Sequence, residues 1–337
     1  MKKKVLFAIG LLLAMTFFSF SADINFKGMV QTWFSVAEQN EVESSFYGFT
    51  LRRIRFKPFG SFTKKIQWLV QAAWDRNSPL LLDAYLDFLI TKTVRIRVGQ
   101  FTVPGTVSST LTSSGKLDFL ERAMVTQNWS GHNSLSSYRA LGIQVHGSLL
   151  AEKLYYALMA ANPKTTMDFT PRLKSPGYTN EKNGSQFWAR LEAKPVKGMR
   201  IGTFYGTTEE TETDIRRNTY GAHLFFVTKA LNFKIEYIAG LYGAEGNETE
   251  YNGMYAVLGY KLNKTEPICR FGCYIPNDKN ADAAGVEKYT DITLGVNYFY
   301  SKNIKFQANY VIRNEQMAAG LPELLNNLFY CCLQYTF

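Results

Sequence analysis

From Phe49 to Phe101 the chain alternates with period two, and its two phases have opposite chemical character. One phase reads Ile54, Phe56, Ile66, Trp68, Val70, Ala72, Trp74, Leu82, Ala84, Leu86, Phe88, Ile90, Val94, Ile96 and Val98. The other carries Arg53, Arg55, Lys57, Lys65, Gln67, Asp75, Asp83, Asp87, Arg95 and Arg97. Successive side chains of a strand point to opposite faces, so each segment has one apolar face and one charged face. A soluble sandwich would bury the apolar face. A membrane barrel turns it to lipid and lets the charges line a wet lumen.

The two ends of the chain decide between these arrangements. Met1–Lys4 is basic, Val5–Phe20 is apolar, and Ser19-Phe20-Ser21 supplies small residues where a signal peptidase reads. The segment 1–21 is therefore expected to be a secretory leader, with cleavage after Ser21 or Ala22, leaving residues 22–337 as one domain. No later stretch approaches the roughly 20 apolar residues of a spanning helix. At the other end Phe329, Cys331, Leu333, Tyr335 and Phe337 share one phase, with Tyr330, Cys332, Gln334 and Thr336 in the other. An amphipathic last strand ending in Phe resembles the terminal signal of bacterial outer-membrane barrels. The competing reading is an exported sandwich that ends in Phe by chance.

Sixteen strand-like segments follow from the pattern. They are Ile24–Val36, Phe46–Phe59, Thr63–Asp75, Leu80–Ile90, Val94–Phe101, Tyr138–Leu149, Leu154–Ala161 and Gln186–Lys194, then Met199–Gly206, Arg216–Thr228, Asn232–Tyr242, Gly253–Leu262, Ile268–Ile275, Tyr289–Tyr300, Ile304–Arg313 and Asn327–Phe337. Short connections alternate with mostly longer ones, among them Thr207–Ile215 and Gly243–Asn252; Arg76–Pro79 is the short exception. The predicted fold is all-β: a transmembrane antiparallel β-barrel of about 16 strands with both ends on the periplasmic side. Aromatic residues make up 15% of the chain, with 20 Tyr and 25 Phe, which suits two interfacial girdles. The segment 102–137 is far longer than its counterparts and mixes Leu111, Leu117, Phe119, Leu120, Met124, Val125 and Trp129 with polar residues. A loop of that length and character is expected to be ordered and functional.

Charge then points to a class of solute. The chain has 38 basic and 28 acidic residues, and losing the three leader lysines lowers the excess from +10 to +7. Such an excess suits nucleic acid, anionic lipid or an anionic solute. The alternation favours the solute and gives no reason to expect nucleic acid. A Lys or Arg facing lipid at mid-bilayer costs about 2–4 kcal/mol, so Arg53, Arg55, Lys57, Arg95 and Arg97 are expected in the lumen. By the same parity Arg190, Lys194, Arg200, Lys234 and Arg270 point inward with Asp75, Asp83, Asp87, Glu192 and Glu236. The turn at Thr91–Thr93 sets Asp87 opposite Arg97 and Leu89 opposite Arg95. Arg97 is then held by Asp87. Arg53, Arg55 and Lys57 have only Lys65 and Gln67 near them on the third strand, so three unpaired cations are expected to meet an anion. The plainer alternative is a stripe that solvates the wall or binds lipopolysaccharide at a rim.

Several segments carry a family likeness. Leu51-Arg-Arg-Ile-Arg-Phe-Lys57, Trp68-Leu-Val-Gln-Ala-Ala-Trp-Asp75, Asp83-Ala-Tyr-Leu-Asp-Phe88 and Val98-Gly-Gln-Phe-Thr-Val-Pro104 resemble the early strands of the phosphate-selective porin O and P family. Ser113-Ser114, Phe119-Leu-Glu-Arg122, Arg139-Ala-Leu-Gly142, Glu266-Pro-Ile-Cys-Arg270, Thr293-Leu-Gly-Val-Asn-Tyr298 and Gln307-Ala-Asn-Tyr310 continue the likeness. The resemblance implies a sixteen-stranded outer-membrane porin, usually a homotrimer, passing small anions such as phosphate. It also implies that the third outside loop folds into the lumen as a constriction, bringing Lys116, Asp118, Glu121 and Arg122 there. Packing over the barrel mouth or a neighbouring subunit is the alternative. Family members add a lysine cluster to their lumen arginines, and no equivalent is located in this sequence.

Nothing in the sequence supports catalysis or a cofactor. His132, His146 and His223 are too scattered for a metal site, and no phosphate-cradling or dinucleotide motif occurs. Cys269, Cys273, Cys331 and Cys332 lack a zinc spacing and read as small hydrophobes. The expected function is passive diffusion through a water-filled channel with anion preference, with outer-membrane lipid around it. The alternative is a barrel acting mainly as an adhesin or structural anchor.

Overall fold

The computed structural model describes residues 23–37, 46–75, 78–135, 137–162, 184–210, 215–280, 282, 285–319, 321 and 326–337. The expected leader and parts of several connections lie outside the described residues. Sixteen antiparallel strands close into one barrel. They are β1 (Asp23–Ala37), β2 (Phe46–Thr63), β3 (Ile66–Asp75), β4 (Ser78–Leu89), β5 (Arg95–Thr102), β6 (Arg139–Leu149), β7 (Leu154–Ala161) and β8 (Gly184–Ala193). The second half comprises β9 (Met199–Glu210), β10 (Ile215–Val227), β11 (Leu231–Ala244), β12 (Thr249–Tyr260), β13 (Thr265–Ile275), β14 (Val286–Phe299), β15 (Ile304–Met317) and β16 (Leu328–Thr336). Among the described residues one α-helix, α1 (Met124–His132), lies in the long β5–β6 connection, after a π-helical turn at Val107–Leu111 and a 3-10 turn at Ser114–Lys116.

Closure removes the sheet edge, which lipid would leave without hydrogen-bond partners. The seam pairs β1 with β16, and Gly28 exchanges backbone hydrogen bonds of 2.8 and 3.1 Å with Phe337. The terminal ring lies over Gly28, where a Cβ would come within 2.0 Å of it. Phe337 thus needs a glycine beside it to finish the ladder.

The apolar phase faces outward. Val98, Leu158, Phe187, Leu258, Leu294 and Leu333 are exposed, whereas Gln31, Glu236, Thr219 and Gln307 are buried inside. This inverted pattern excludes a sandwich with an apolar core. Among the described residues four register irregularities break the strict parity; one places Arg52 between paired Arg53 and Leu51 on β2, and a second places Leu82 as the extra residue on β4. Gln100 donates to both Leu81 O and Leu82 O at 2.9 Å, satisfying carbonyls that the second bulge frees. At one end the connections run from two to five residues. At the other, two connections expected to be long, Thr207–Ile215 and Gly243–Asn252, shrink to four residues each. The strands simply continue, with Arg216 paired to Glu209 and Tyr242 to Thr249.

Candidate functional site

The connection from β5 to β6 packs on inward-facing side chains. At its start the Glu236 carboxylate accepts from Val107 N at 2.6 Å, Ser108 N at 3.3 Å and Tyr255 Oη at 2.7 Å. Farther along, both oxygens of Asp118 accept from Lys234 Nζ at 2.7 Å. Leu120 N donates to Asn309 Oδ1 at 2.8 Å, and Arg270 donates to Glu121 O at 2.8 Å. Helix α1 contributes Trp129, which is fully buried, meets Trp188 and Phe204 edge-on at 5.5 and 6.0 Å, and donates to Thr219. The segment therefore lies against β8–β16 and the first two strands. A cavity of about 670 Å³ stays open at the short-turn end beside β1–β7.

The residues nominated from sequence fare differently. Arg97 donates to Asp87 at 2.8 Å in the register that the turn predicts, and Leu89 lies opposite Arg95. Asp87 also meets Arg95 at 3.8 Å and His146 at 3.1 Å, so two arginines share one carboxylate. Arg53 and Arg55 are not the unpaired cations the sequence suggests. Arg53 is buried, donates to Gln31 at 3.1 Å and Leu120 O at 3.4 Å, and lies 3.6 Å from Glu121. Arg55 forms a 2.7 Å ion pair with Asp75. The stagger of β3 is the reason: Arg55 sits opposite Ala73, one diagonal step from Asp75, and Gln67 lies opposite Ser61. Lys57 has no ion pair within 4 Å among the described residues.

On the loop, Glu121 pairs with Arg52 at 3.0 Å. Arg122 donates to Ser108 O at 2.9 Å and Thr112 O at 3.3 Å, and its guanidinium lies 5.2 Å from the Tyr138 ring. No carboxylate lies within 4 Å of it among the described residues. Burial, with Arg139 and Arg52 adding to it, holds the Arg122 pKa below its ordinary value, and the group stays charged. Lys116 is exposed and reaches Lys57 electrostatically.

Several basic residues of the inner wall were not nominated, Lys305 among them, which donates to Gly115 O and Leu117 O on the loop. Arg52 enters the inner wall through the β2 bulge, its guanidinium 5.1 Å from the Trp33 ring. Adjacent arginines in an amphipathic strand were the available signal, because lipid tolerates neither. Arg139, at the start of β6, grips both oxygens of Asp83 at 2.9 Å. Lys27 lies directly opposite Lys57. Lys27, Lys57 and Lys116 thus form a small lysine group that strand assignment alone could not assemble.

His132, at the end of α1, stacks on Tyr251 at 4.0 Å and hydrogen-bonds Tyr274 Oη. Burial pushes its pKa from 6.5 down to about 4, with Arg217 adding to the shift. A released loop would bind a proton that the packed imidazole refuses. Packing of α1 is accordingly at full strength above about pH 6.5 and is lost as pH falls toward about 4. Limited proteolysis of the loop across that range should show increasing cleavage, and His132→Asn should flatten the profile. A pH-independent wild-type rate would contradict this.

No curated protein sequence matches the chain. Among solved structures, an anion-selective porin from Comamonas acidovorans superposes with a TM-score of 0.69 at 12% identity, over 94% of this chain and 100% of that one. The trimer form of OmpT from Vibrio cholerae gives 0.66 at 12%, over 94% and 99%. Salmonella typhi OmpF gives 0.65 at 10%, over 95% and 99%. At these identities the likeness shows the fold. Family membership rests on the sequence itself: its match to the phosphate-selective porin O and P model runs over residues 22–337, and the chain belongs to that family.

Proposed function

We propose that the protein is an anion-preferring diffusion channel whose passage is narrowed by the β5–β6 loop. The observation that carries this reading is the charge gathered around Arg122. Arg52, Arg53, Arg55 and Arg139 lie within its electrostatic reach, and Glu121, Asp75 and Asp83 are the carboxylates paired with them. Lys27, Lys57 and Lys116 continue the excess toward the short-turn end. Fixed cations in a low-dielectric wall raise the local anion concentration. Because most arginines already hold a carboxylate, the reading is a general preference for small anions, phosphate among them.

The leader at 1–21 is removed on export in this account. The short turns face the periplasm, and three copies assemble as in the V. cholerae neighbour described as a trimer. Reconstitution of purified protein into planar bilayers tests the channel. Discrete conductance steps are expected, and their absence would favour an adhesin or anchor. Mass measurement in detergent tests the trimer.

A further inference from the structure

Lining the open cavity, among the described residues, is an apolar row. Phe59, Leu69 and Tyr85 are direct cross-strand partners on β2, β3 and β4, on the phase that elsewhere carries charge. All three are only half-buried, and all three line the 670 Å³ cavity. Water gains nothing from such a surface, and apolar patches rimmed by charge mark ligand grooves. Both ends of this row carry a cation over a ring. Lys27 Nζ lies 5.0 Å from the Phe59 centroid, and the Arg97 guanidinium lies 4.2 Å from that of Tyr85.

Beside Tyr85 the neighbouring strand comes so close that only a glycine fits. Gly99, its partner on β5, has φ +131°, and a Cβ there would approach Ala84 O to 2.2 Å. Arg97 and Arg95 share Asp87 and remain partly exposed, so the pair keeps one positive charge in excess. Lys92, Asp23 and Glu152 also line the cavity. An inorganic oxyanion would use the cations and leave the row without a role.

We propose that this groove binds small carboxylates with a planar aromatic body, the ring on Phe59–Leu69–Tyr85 and the carboxylate toward Arg97 and Arg95. The inference rests on the anion-channel reading and fails separately from it. Chloride current through reconstituted channels is measured first, without any organic acid. Sodium benzoate is then titrated against sodium acetate and inorganic phosphate. Benzoate is expected to reduce the chloride current at about fivefold lower concentration than acetate, the size of one aromatic contact. Tyr85→Ala should bring the benzoate-to-acetate ratio close to one, and Phe59→Ser serves if that variant does not insert. Equal block by benzoate and acetate, stronger block by phosphate, or a ratio unmoved in the variant would overturn the proposal. A cation-preferring channel would instead overturn the reading beneath it.

Discussion

Glu236→Ala is expected to raise single-channel conductance and open-channel noise together. The carboxylate is fully buried on β11 and serves three donors: two backbone N–H groups at the start of the loop and the Tyr255 hydroxyl. Removing it leaves the two backbone N–H groups without their acceptor, at about 1–3 kcal/mol for each orphaned group. The first turn of the loop should therefore leave the wall while the barrel ladder, which does not involve this side chain, stays closed. Glu236→Gln keeps one acceptor oxygen and should fall between the two. Unchanged conductance and noise in Glu236→Ala would mean that the remaining contacts, Lys234 with Asp118 above all, hold the loop without it.

Arg122→Glu should move ion preference strongly toward cations. The change replaces the one arginine of the cluster that lacks a carboxylate and shifts local charge by two units. At an effective dielectric near 20, each unit acting over about 10 Å is worth on the order of 1–2 kcal/mol to a passing ion, roughly tenfold in permeability ratio. Arg122 also donates to Ser108 O and Thr112 O, so a glutamate would disturb the loop as well. Arg122→Gln retains amide donors and changes only one charge, and it should give about half the shift in free energy. Equal selectivity in wild type and Arg122→Glu would place the controlling charge elsewhere.

Period-two alternation made most of the barrel legible from sequence. A strand buried on neither face in protein must sort its side chains between lipid and water, and that sorting is written along the chain. The Asp87–Arg97 pair was legible for the same reason, since a short turn fixes the register of its two strands. What parity misreads is any place where the ladder is not regular. The bulge at Arg52 adds a residue, so the apolar phase of β2 gains an arginine that in fact faces inward. The stagger between β2 and β3 brings Asp75 rather than Gln67 to Arg55. The loop was legible as an ordered segment from its apolar content, but its wall partners lie between 67 and 219 residues away in sequence. Glu236 and Asn309 as loop anchors, and Glu121 as the partner of Arg52 and Arg53, follow only from the closed fold.

With Arg53 near Glu121 and Arg55 paired with Asp75, the wall behaves differently from a row of bare cations. Three bare cations would form a binding stripe. Two neutralised arginines beside Arg122 and a lysine group form instead a field with a modest positive excess. Such a field selects by sign more than by identity.

The most direct test of the account is the zero-current potential of reconstituted wild-type channels across a KCl gradient. Chloride preference predicts a potential of the sign set by anions moving down the gradient, reduced by Arg122→Gln. A zero-current potential of the opposite sign would show that cations pass more readily and would contradict the account.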